Sequence, residues 1–565
     1  MRILHVGWGY PPRYLFGGPV YYVHRLALRQ RELGHEVSVA CASDHAAPEM
    51  APWAVGTQEW EGIPYLHLVN RPAHMLRPDD PAAETLDTGC EDAFLAVLER
   101  ERPDVVHVHN LVGLCLTLPR LARQRGVPVL MSLHNYWPLC PRVDLFQAER
   151  EACPGAAHAD CGACLGTSAP HRAYMARHAA AIAALESCDR LLAVSIRVAE
   201  IYVEQGVDSE LVRVQRIGSD AAVRLWEGGG RERRSDPPPA EPSFAFFGSR
   251  VPNKGPHVIL RALALMRNAG GYRFRFFGAS GGPAFDAELE RLTRELGPRA
   301  ANVSTRGHYT QDELPGLLAA ADVAVLTPQW EDNGPQTVFE SLGAGLPVVG
   351  TAMGGVPDVV EDGRNGLLVP AADPEALAAA LDRIVDDSSL VAELRRGIEP
   401  PLSMEAHADD LEATYAEVLA ARRPAPRLAV LLRGADRRDG LLACLQAVAA
   451  AGAPDVEVVV VDEGSRDGTR ELLASICGDV RVITRARRGT PTQAVREAAA
   501  AARAPRVVVL DPGRPPVSGW LEAALAGPEA PTAVAPGAVA ADRALAAGIA
   551  GAGAVAELLG GRRAA

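Results

Sequence analysis

The chain has 565 residues, 48% of them hydrophobic, and a formal net charge of −13. That length provides for two to four domains with cores of their own, while the acidic balance argues against a nucleic-acid partner, whose binding face is basic. Outside an Ala/Gly-rich C-terminal tail carrying Asp542, Arg543 and Glu557, every long apolar run is broken by charges or by Gly and Pro, and the ten cysteines are modest for this length. A soluble, cytoplasmic protein without a disulfide-stapled fold is expected.

The chain opens on Met1-Arg2-Ile3-Leu4-His5-Val6-Gly7, which reads as a first strand and is too short for the apolar core of a signal peptide. Gly17-Gly18-Pro19 follows, ahead of a helix over 20–34. Two absent side chains there let backbone approach a bulky anion; an ordinary turn explains the pair equally well. Further strands fall at 37–40, 105–108, 129–133 and 191–194 with helical stretches between them. This alternation predicts a parallel sheet covered on both faces over residues 1–226. His109 ends one of these strands and His134 another, and carboxyl ends of parallel strands face the crevice where ligands bind. His107, two places before His109, fits a satisfied core histidine equally well. Cys140, Cys153, Cys161 and Cys164 lie in one short window, with His158 among them. Such a set can hold a tetrahedral zinc that staples a loop and leaves no open position for catalysis; unlinked thiols are the other reading.

Residues 227–243 are charged and rich in Gly and Pro, and read as an exposed linker. A second α/β unit over 244–422 has strands at 244–247, 273–277, 323–326 and 348–350 and helices near 257–268 and 374–385, and an acidic-faced helix over 404–421 closes it. Arg250 and Lys254 sit in the loop after its first strand, where two cations could neutralise a diphosphate. Asp332-Asn333-Gly334-Pro335-Gln336-Thr337-Val338-Phe339-Glu340 sets two carboxylates around the start of a short helix and leads on to Gly354-Gly355. Pro335 suits the first helical position, the free N–H groups of that turn can receive an anion, and Glu340 can accept from hydroxyls. Phosphate plus hydroxyls points to a nucleotide sugar. A second linker, Arg422-Arg423-Pro424-Ala425-Pro426-Arg427, precedes a third α/β unit over 428–565 with strands at 428–432, 456–461, 480–483 and 507–510 and weak signals after about 525.

Together these residues resemble the retaining glycosyltransferases of family 4, whose GT-B fold sets two Rossmann-like domains across a cleft. The resemblance covers about residues 1–422: Gly17-Gly18, the join Arg31-Glu32-Leu33-Gly34-His35-Glu36-Val37, the strand Asp104-Val105-Val106-His107-Val108-His109, His134, Lys254-Gly255, Asp332 with Glu340, Gly354-Gly355 and the cysteine cluster. Two positions depart from the family pattern. Asp332 stands where a glutamate is usual, with Glu331 beside it, and Ser249 stands where an arginine is usual, with Arg250 one place later. The resemblance implies a nucleoside-diphosphate sugar donor, UDP and GDP being undistinguished, and no catalytic metal. It implies that Arg250, Lys254 and the helix start hold the diphosphate beside Gly334, Gly354 and Gly355, that Glu340 holds the ribose and Asp332 the donor sugar, and that His134 orients the reacting sugar. A glycan or lipid-linked acceptor would lie near Gly17, Gly18 and His109, in surface polysaccharide assembly, with peripheral contact at the inner face of the membrane. The rival reading, motivated by Asp332, Ser249 and Gly513, is a catalytically silent scaffold that binds a nucleotide sugar or glycan. A dinucleotide oxidoreductase is a distant third, since no Gly-x-Gly-x-x-Gly follows the first strand.

The third unit resembles the nucleotide-binding opening of a family 2 glycosyltransferase of GT-A fold, through Val458-Val459-Val460-Val461-Asp462-Glu463-Gly464-Ser465-Arg466-Asp467-Gly468-Thr469. Asp462 would contact the base or ribose. Asp511-Pro512-Gly513 falls at the family's metal-binding Asp-x-Asp, and Gly513 deletes one hard oxygen ligand. The unit reads as a partial, inactive relative whose removal leaves transferase activity.

Overall fold

In a computed structural model the strand–helix alternation resolves into three separate sheets. The structure describes residues 1–12, 18–43, 51–69, 80–82, 84–147, 151–156, 159–421, 426–452, 455–476, 480–485, 487–516, 520–526, 532–535 and 538–542. The first sheet holds β1 (Arg2–Gly7), β2 (Glu36–Ser43), β3 (Val55–Trp60), β4 (Ile63–Val69), β5 (Val105–Val108), β6 (Val129–Leu133), β7 (Arg190–Ala193) and β8 (Val212–Val214) in the order β3-β4-β2-β1-β5-β6-β7-β8. Only the β3–β4 pair is antiparallel. Every residue of β5 and β6 is buried, because helices cover both faces of a parallel sheet, and this is why both strands read as near-continuous apolar runs.

The second sheet holds β9 (Ser243–Phe247), β10 (Arg273–Phe277), β11 (Val303–Arg306), β12 (Val323–Leu326), β13 (Val348–Thr351) and β14 (Gly366–Val369), all parallel, in the order β11-β10-β9-β12-β13-β14. Phe244, Phe246 and Phe247 stand in register with Phe274, Phe276 and Phe277, and each pair of rings is in contact. In both sheets the chain reverses its stacking order at the centre, so β1, β5 and β6 are neighbours in one and β9 and β12 in the other. Loops leaving the carboxyl ends of such neighbours converge on one crevice.

The third sheet holds β15 (Leu428–Gly434), β16 (Val456–Asp462), β17 (Val480–Thr484), β18 (Arg506–Leu510), β19 (Thr532–Ala535) and β20 (Ala538–Asp542), in the order β17-β16-β15-β18-β20-β19. The Ala-rich stretch with weak strand signals thus supplies an antiparallel edge pair. This unit rests on the first lobe. The helix Leu118–Gln124 meets β17, and the helix Thr469–Ala474 meets the helix His171–Glu186. At the junction the buried Arg120 donates from Nη1 to the Leu473 carbonyl at 2.9 Å, and Gln124 donates to the Val480 carbonyl.

Two expectations are corrected. The helix Met404–Ala420 does not close the second unit; it crosses back and packs on the first lobe. Its Met404, Ala408, Leu411, Tyr415 and Val418 share one core with Tyr22, Val23, Leu26 and β1, and helical spacing puts those apolar residues on one face. The segment 227–243 is not wholly an exposed linker either. Residues 226–233 form two helical pieces joined by a kink at Gly228 and Gly229, with Trp226 and Gly230 buried. A Cβ on Gly230 would lie 2.0 Å from the Gly343 carbonyl oxygen, so glycine here serves close packing. Among the described residues no helix is long and apolar enough to cross a membrane.

Candidate functional site

The second lobe's part of the site is built on backbone that only glycine allows. Gly255 has φ +75°, and a Cβ there would lie 2.0 Å from the Thr327 carbonyl oxygen. This close approach brings Lys254, at the end of the loop after β9, against the segment that follows β12. The Lys254 ammonium pairs with the carboxylate of the buried Asp332 and lies 5.2 Å from the centre of the Trp330 ring. Gly354, at φ +60°, fits against Asp332, whose carbonyl accepts from Gly355 N at 2.7 Å. The neighbouring Glu331 is engaged elsewhere: it accepts from Gly354 N at 3.0 Å and from Arg197 Nε of the first lobe at 3.2 Å. Asp332, one methylene shorter than the glutamate of the family pattern, is therefore the carboxylate that meets Lys254.

The helix begins at Gln336 and ends at Gly343, with Pro335 as its cap at ψ 111° and not its first helical residue. Glu340 on this helix is buried, and burial raises its carboxyl to about 7. The hydroxyl of Tyr309 is pushed up to about 12, by burial first and then by Glu340. Since Tyr309 also stacks edge-on against Phe247 at the end of β9, Glu340 and the Lys254 loop share the carboxyl-end side of the sheet. Arg250 instead turns to Asp286 at 3.7 Å.

The two lobes touch around this cluster. A Cβ on Gly18 would lie 3.3 Å from Gln336 Cγ, one on Gly334 would lie 3.8 Å from Val194 Cγ2, and Ile196 N donates to Asp358 at 2.8 Å. Burial first, and then the charge of Glu331, raises the Tyr136 hydroxyl. Among the described residues, Tyr136 Oη, Asn253 Oδ1, Trp330 Nε1 and Asn333 Nδ2 are buried polar atoms with no hydrogen-bond partner. Buried polar atoms are rarely left unpaired without a functional reason. Such atoms occur elsewhere in the chain too; these four belong to the loops that bear His134, Lys254 and Asp332, where a polar ligand would pair them.

On the first lobe His134 Nε2 lies 3.1 Å from His109 Nδ1, and His109 Nε2 lies 2.9 Å from His5 Nδ1. Burial holds His134 down to about 3 and His5 to about 4. Gly17 lies outside the described residues, as does His158. Cys140, Cys153, Cys161 and Cys164 gather around Cys153 closely enough to influence one another electrostatically. The donor set suits zinc, but these thiols are not drawn to ligand spacing. Among the described residues, only His5, His107 and His109 bring three ligand atoms within 4.8 Å of one another.

Sequence reasoning missed His5, Gln30, Tyr22, Tyr136, Asn333 and Tyr415. Their signal is weak in the sequence because it depends on register: His5 stands opposite His107 in the parallel pair β1–β5. In the third unit Asp462 caps Ser465 N at 3.3 Å and lies 3.5 Å from Arg470 Nε. Where the family 2 pattern would carry a second aspartate, the position of a Cβ on Gly513 lies 2.5 Å from Arg437 Nη1 and 3.2 Å from Asp511 Oδ1.

Residues 16–222 match the family model for Glycosyltransferase Family 4, residues 241–387 that for Glycosyl transferases group 1, and residues 436–535 that for Glycosyl transferase family 2. A glycogen synthase of Mycobacterium tuberculosis is 27% identical over 447 residues, covering 76% of this chain and 98% of that protein. A D-inositol 3-phosphate glycosyltransferase of Salinispora tropica is 31% identical over 253 residues, 42% of this chain and about half, 52%, of that protein. The crystal structure of Anabaena HepE in complex with UDP superposes with a TM-score of 0.52 at 16% identity, over 74% of this chain and all of that one. The first two lobes therefore have a GT-B fold whose halves match the family 4 and group 1 glycosyltransferase models, and the third unit matches the family 2 glycosyltransferase model.

Proposed function

We propose that the chain transfers a sugar from a nucleoside-diphosphate sugar to a hydroxyl of a glycan or lipid-linked acceptor, with retention of configuration at the anomeric carbon. The observation that carries this reading is the pairing of Lys254 with Asp332 at the lobe interface, on the same sheet end as the buried Glu340. The Asp332 carboxylate pairs with the lysine. When the donor enters, Lys254 turns its charge to the diphosphate and Asp332 is released to accept from the donor sugar's hydroxyls. The lysine and the N–H groups at the start of the helix Gln336–Gly343 stabilise charge on the departing diphosphate. Glu340, ionised, accepts from the ribose hydroxyls. The unpaired Asn333 Nδ2 and Tyr136 Oη give the bound sugar-phosphate two further polar contacts. Closure of the lobes excludes water and limits hydrolysis.

The glycogen synthase and inositol phosphate glycosyltransferase relatives and the UDP-bound neighbour support a nucleotide-sugar donor and a polyhydroxylated acceptor. Ligand-induced thermal shift across UDP-, GDP- and ADP-sugars identifies the base, because binding to the folded state raises its apparent stability. Slow donor hydrolysis without acceptor, abolished by Lys254→Ala and Glu340→Ala, is the expected result. Tight donor binding with no turnover on any acceptor points instead to a silent scaffold. We assign the third unit an accessory, non-catalytic role. The four cysteines supply the donors of a structural zinc without standing at ligand spacing, and elemental analysis of protein purified without chelators tests whether they hold one.

A further inference from the structure

His134, the least buried member, ends a line of hydrogen bonds that runs back through the first lobe. His134 Nε2 meets His109 Nδ1 at 3.1 Å, His109 Nε2 meets His5 Nδ1 at 2.9 Å, and His5 Nε2 meets Gln30 Oε1 at 2.7 Å. Gln30 Nε2 donates to the Tyr415 hydroxyl at 3.2 Å, and that hydroxyl lies 2.7 Å from His107 Nδ1. His5, His107, His109, Gln30 and Tyr415 are all buried. Each neutral imidazole has one N–H and one bare nitrogen, so a single assignment at one end fixes all the others.

The assignment follows from the amide. Gln30 Oε1 is an acceptor, so the His5 proton sits on Nε2 and His5 Nδ1 is bare. His109 must then donate from Nε2 and receive at Nδ1, and His134 must donate from Nε2. In the orientation the amide takes here, Gln30 Nε2 donates to the Tyr415 hydroxyl, which passes its own proton to His107 Nδ1. His107 in turn donates from Nε2 to Ser132 Oγ at 2.8 Å. Burial removes the charged alternative, since it lowers the proton affinity of all four histidines.

We propose that this chain holds His134 in a single neutral tautomer, with its proton on Nε2, so that its bare Nδ1 accepts a hydrogen bond from a hydroxyl of the donor sugar. His5, His109, Gln30 and Tyr415 are positioning residues for that acceptor. The part about the sugar rests on the function proposed above; the tautomer does not. His5, His107 and His109 also satisfy the spacing of a metal site, but every nitrogen of the three already has a hydrogen-bond partner. A metal there would have to break the line.

The test is long-range proton–nitrogen NMR of the full chain labelled at histidine, with no substrate present. The expected spectrum shows His5, His109 and His134 as neutral Nε2–H forms across pH 6–8. A proton on His134 Nδ1, an imidazolium, or one tightly held metal ion per chain on His5, His107 and His109 overturns the proposal. Gln30→Met removes the anchoring acceptor. It is expected to give His134 a mixture of tautomers and to lower kcat about tenfold, the worth of one buried hydrogen bond, with KM for the donor nearly unchanged. Gln30→Glu, whose carboxylate still accepts from His5 Nε2, is expected to restore one tautomer. Should Gln30→Met fail to fold, Tyr415→Phe frees the amide to flip and is expected to give the same mixture. Unchanged His134 tautomer populations in either variant overturn the proposal. A wild-type chain with the expected tautomers but no turnover of any nucleotide sugar faults the functional reading and leaves the tautomer chain standing.

Discussion

The second lobe and the third unit each present acidic residues at the carboxyl ends of parallel strands, yet they use arginine and lysine in opposite ways. In the second lobe one lysine meets one aspartate at a lobe interface, and Glu340 is left buried with no hydrogen-bond partner for its carboxylate among the described residues. In the third unit the carboxylates are already matched: Glu463 pairs with Arg433 and Arg485, Asp462 with Arg470, Asp436 with Arg488, and Arg437 fills the space beside Gly513 and Asp511. A buried acid without a partner is costly and persists where a ligand or reaction uses it, whereas a neutralised set is a folded structure at rest. The same α/β plan thus leaves a buried acid without an ionic partner in one place and a matched set of charges in the other.

The largest effect should come from Lys254→Ala, which removes the only lysine charge facing Asp332. Donor turnover is expected to fall by roughly 10²- to 10³-fold, the range for losing a group that stabilises leaving-group charge, while Arg437→Ala should leave turnover in the full chain unchanged. Equal losses in the two variants, measured by nucleotide release, would erase the contrast between the regions.

Glu340 sharpens the contrast through pH. Its folded carboxyl titrates near 7 against an ordinary value of 4.5, because burial disfavours the charge. The folded state then binds more protons than the unfolded state between those limits, so stability falls as pH rises from about 4.5 to 7 and is flat above. Glu340→Gln should therefore raise Tm at pH 8 and not at pH 4.5, by an amount corresponding to about 3 kcal/mol at most. Donor affinity should run the other way and improve as pH rises through 7, since the ionised acid accepts from both ribose hydroxyls. A Tm difference between variant and wild type that ignores pH would contradict the assignment.

Docking of the third unit is the next effect in size. Arg120→Ala leaves the Leu473 carbonyl buried without its donor, at a cost of about 1–3 kcal/mol. A separate early step in thermal unfolding is expected, with donor turnover retained below it. Truncation after residue 425 should likewise keep turnover; loss of all soluble protein would show the third unit to be a structural part of the first lobe. The smallest effect is a gain: Gly513→Asp alone should not bind Mn²⁺, because the Arg437 guanidinium stands in the way, but Gly513→Asp with Arg437→Ala should bind it weakly in a titration. Binding by the single variant would show that Arg437 moves aside.

Much of this molecule could be read before any coordinates. Apolar runs of strand length set the strands, and the Asp332–Glu340 spacing announced a helix with an acid on each side of its start, whereas the close approaches at Gly255 and Gly354 appear only in the packed chain. The first two are local signals, governed by steric rules and periodicity within a few residues. Three further things needed the tertiary structure. The helix Met404–Ala420 carries an apolar stripe that says it must be covered but not by which lobe. Glu331 and Asp332 are adjacent acids, and only the position of Arg197 across the lobe interface decides which one meets Lys254. The histidine line exists because strand register sets His5 opposite His107, and because Gln30 and Tyr415, far apart in the chain, cover the same sheet face. Sequence fixes what each residue can donate, accept or bury; which partner it meets depends on contacts between distant segments, whose energies are decided only when the whole chain packs.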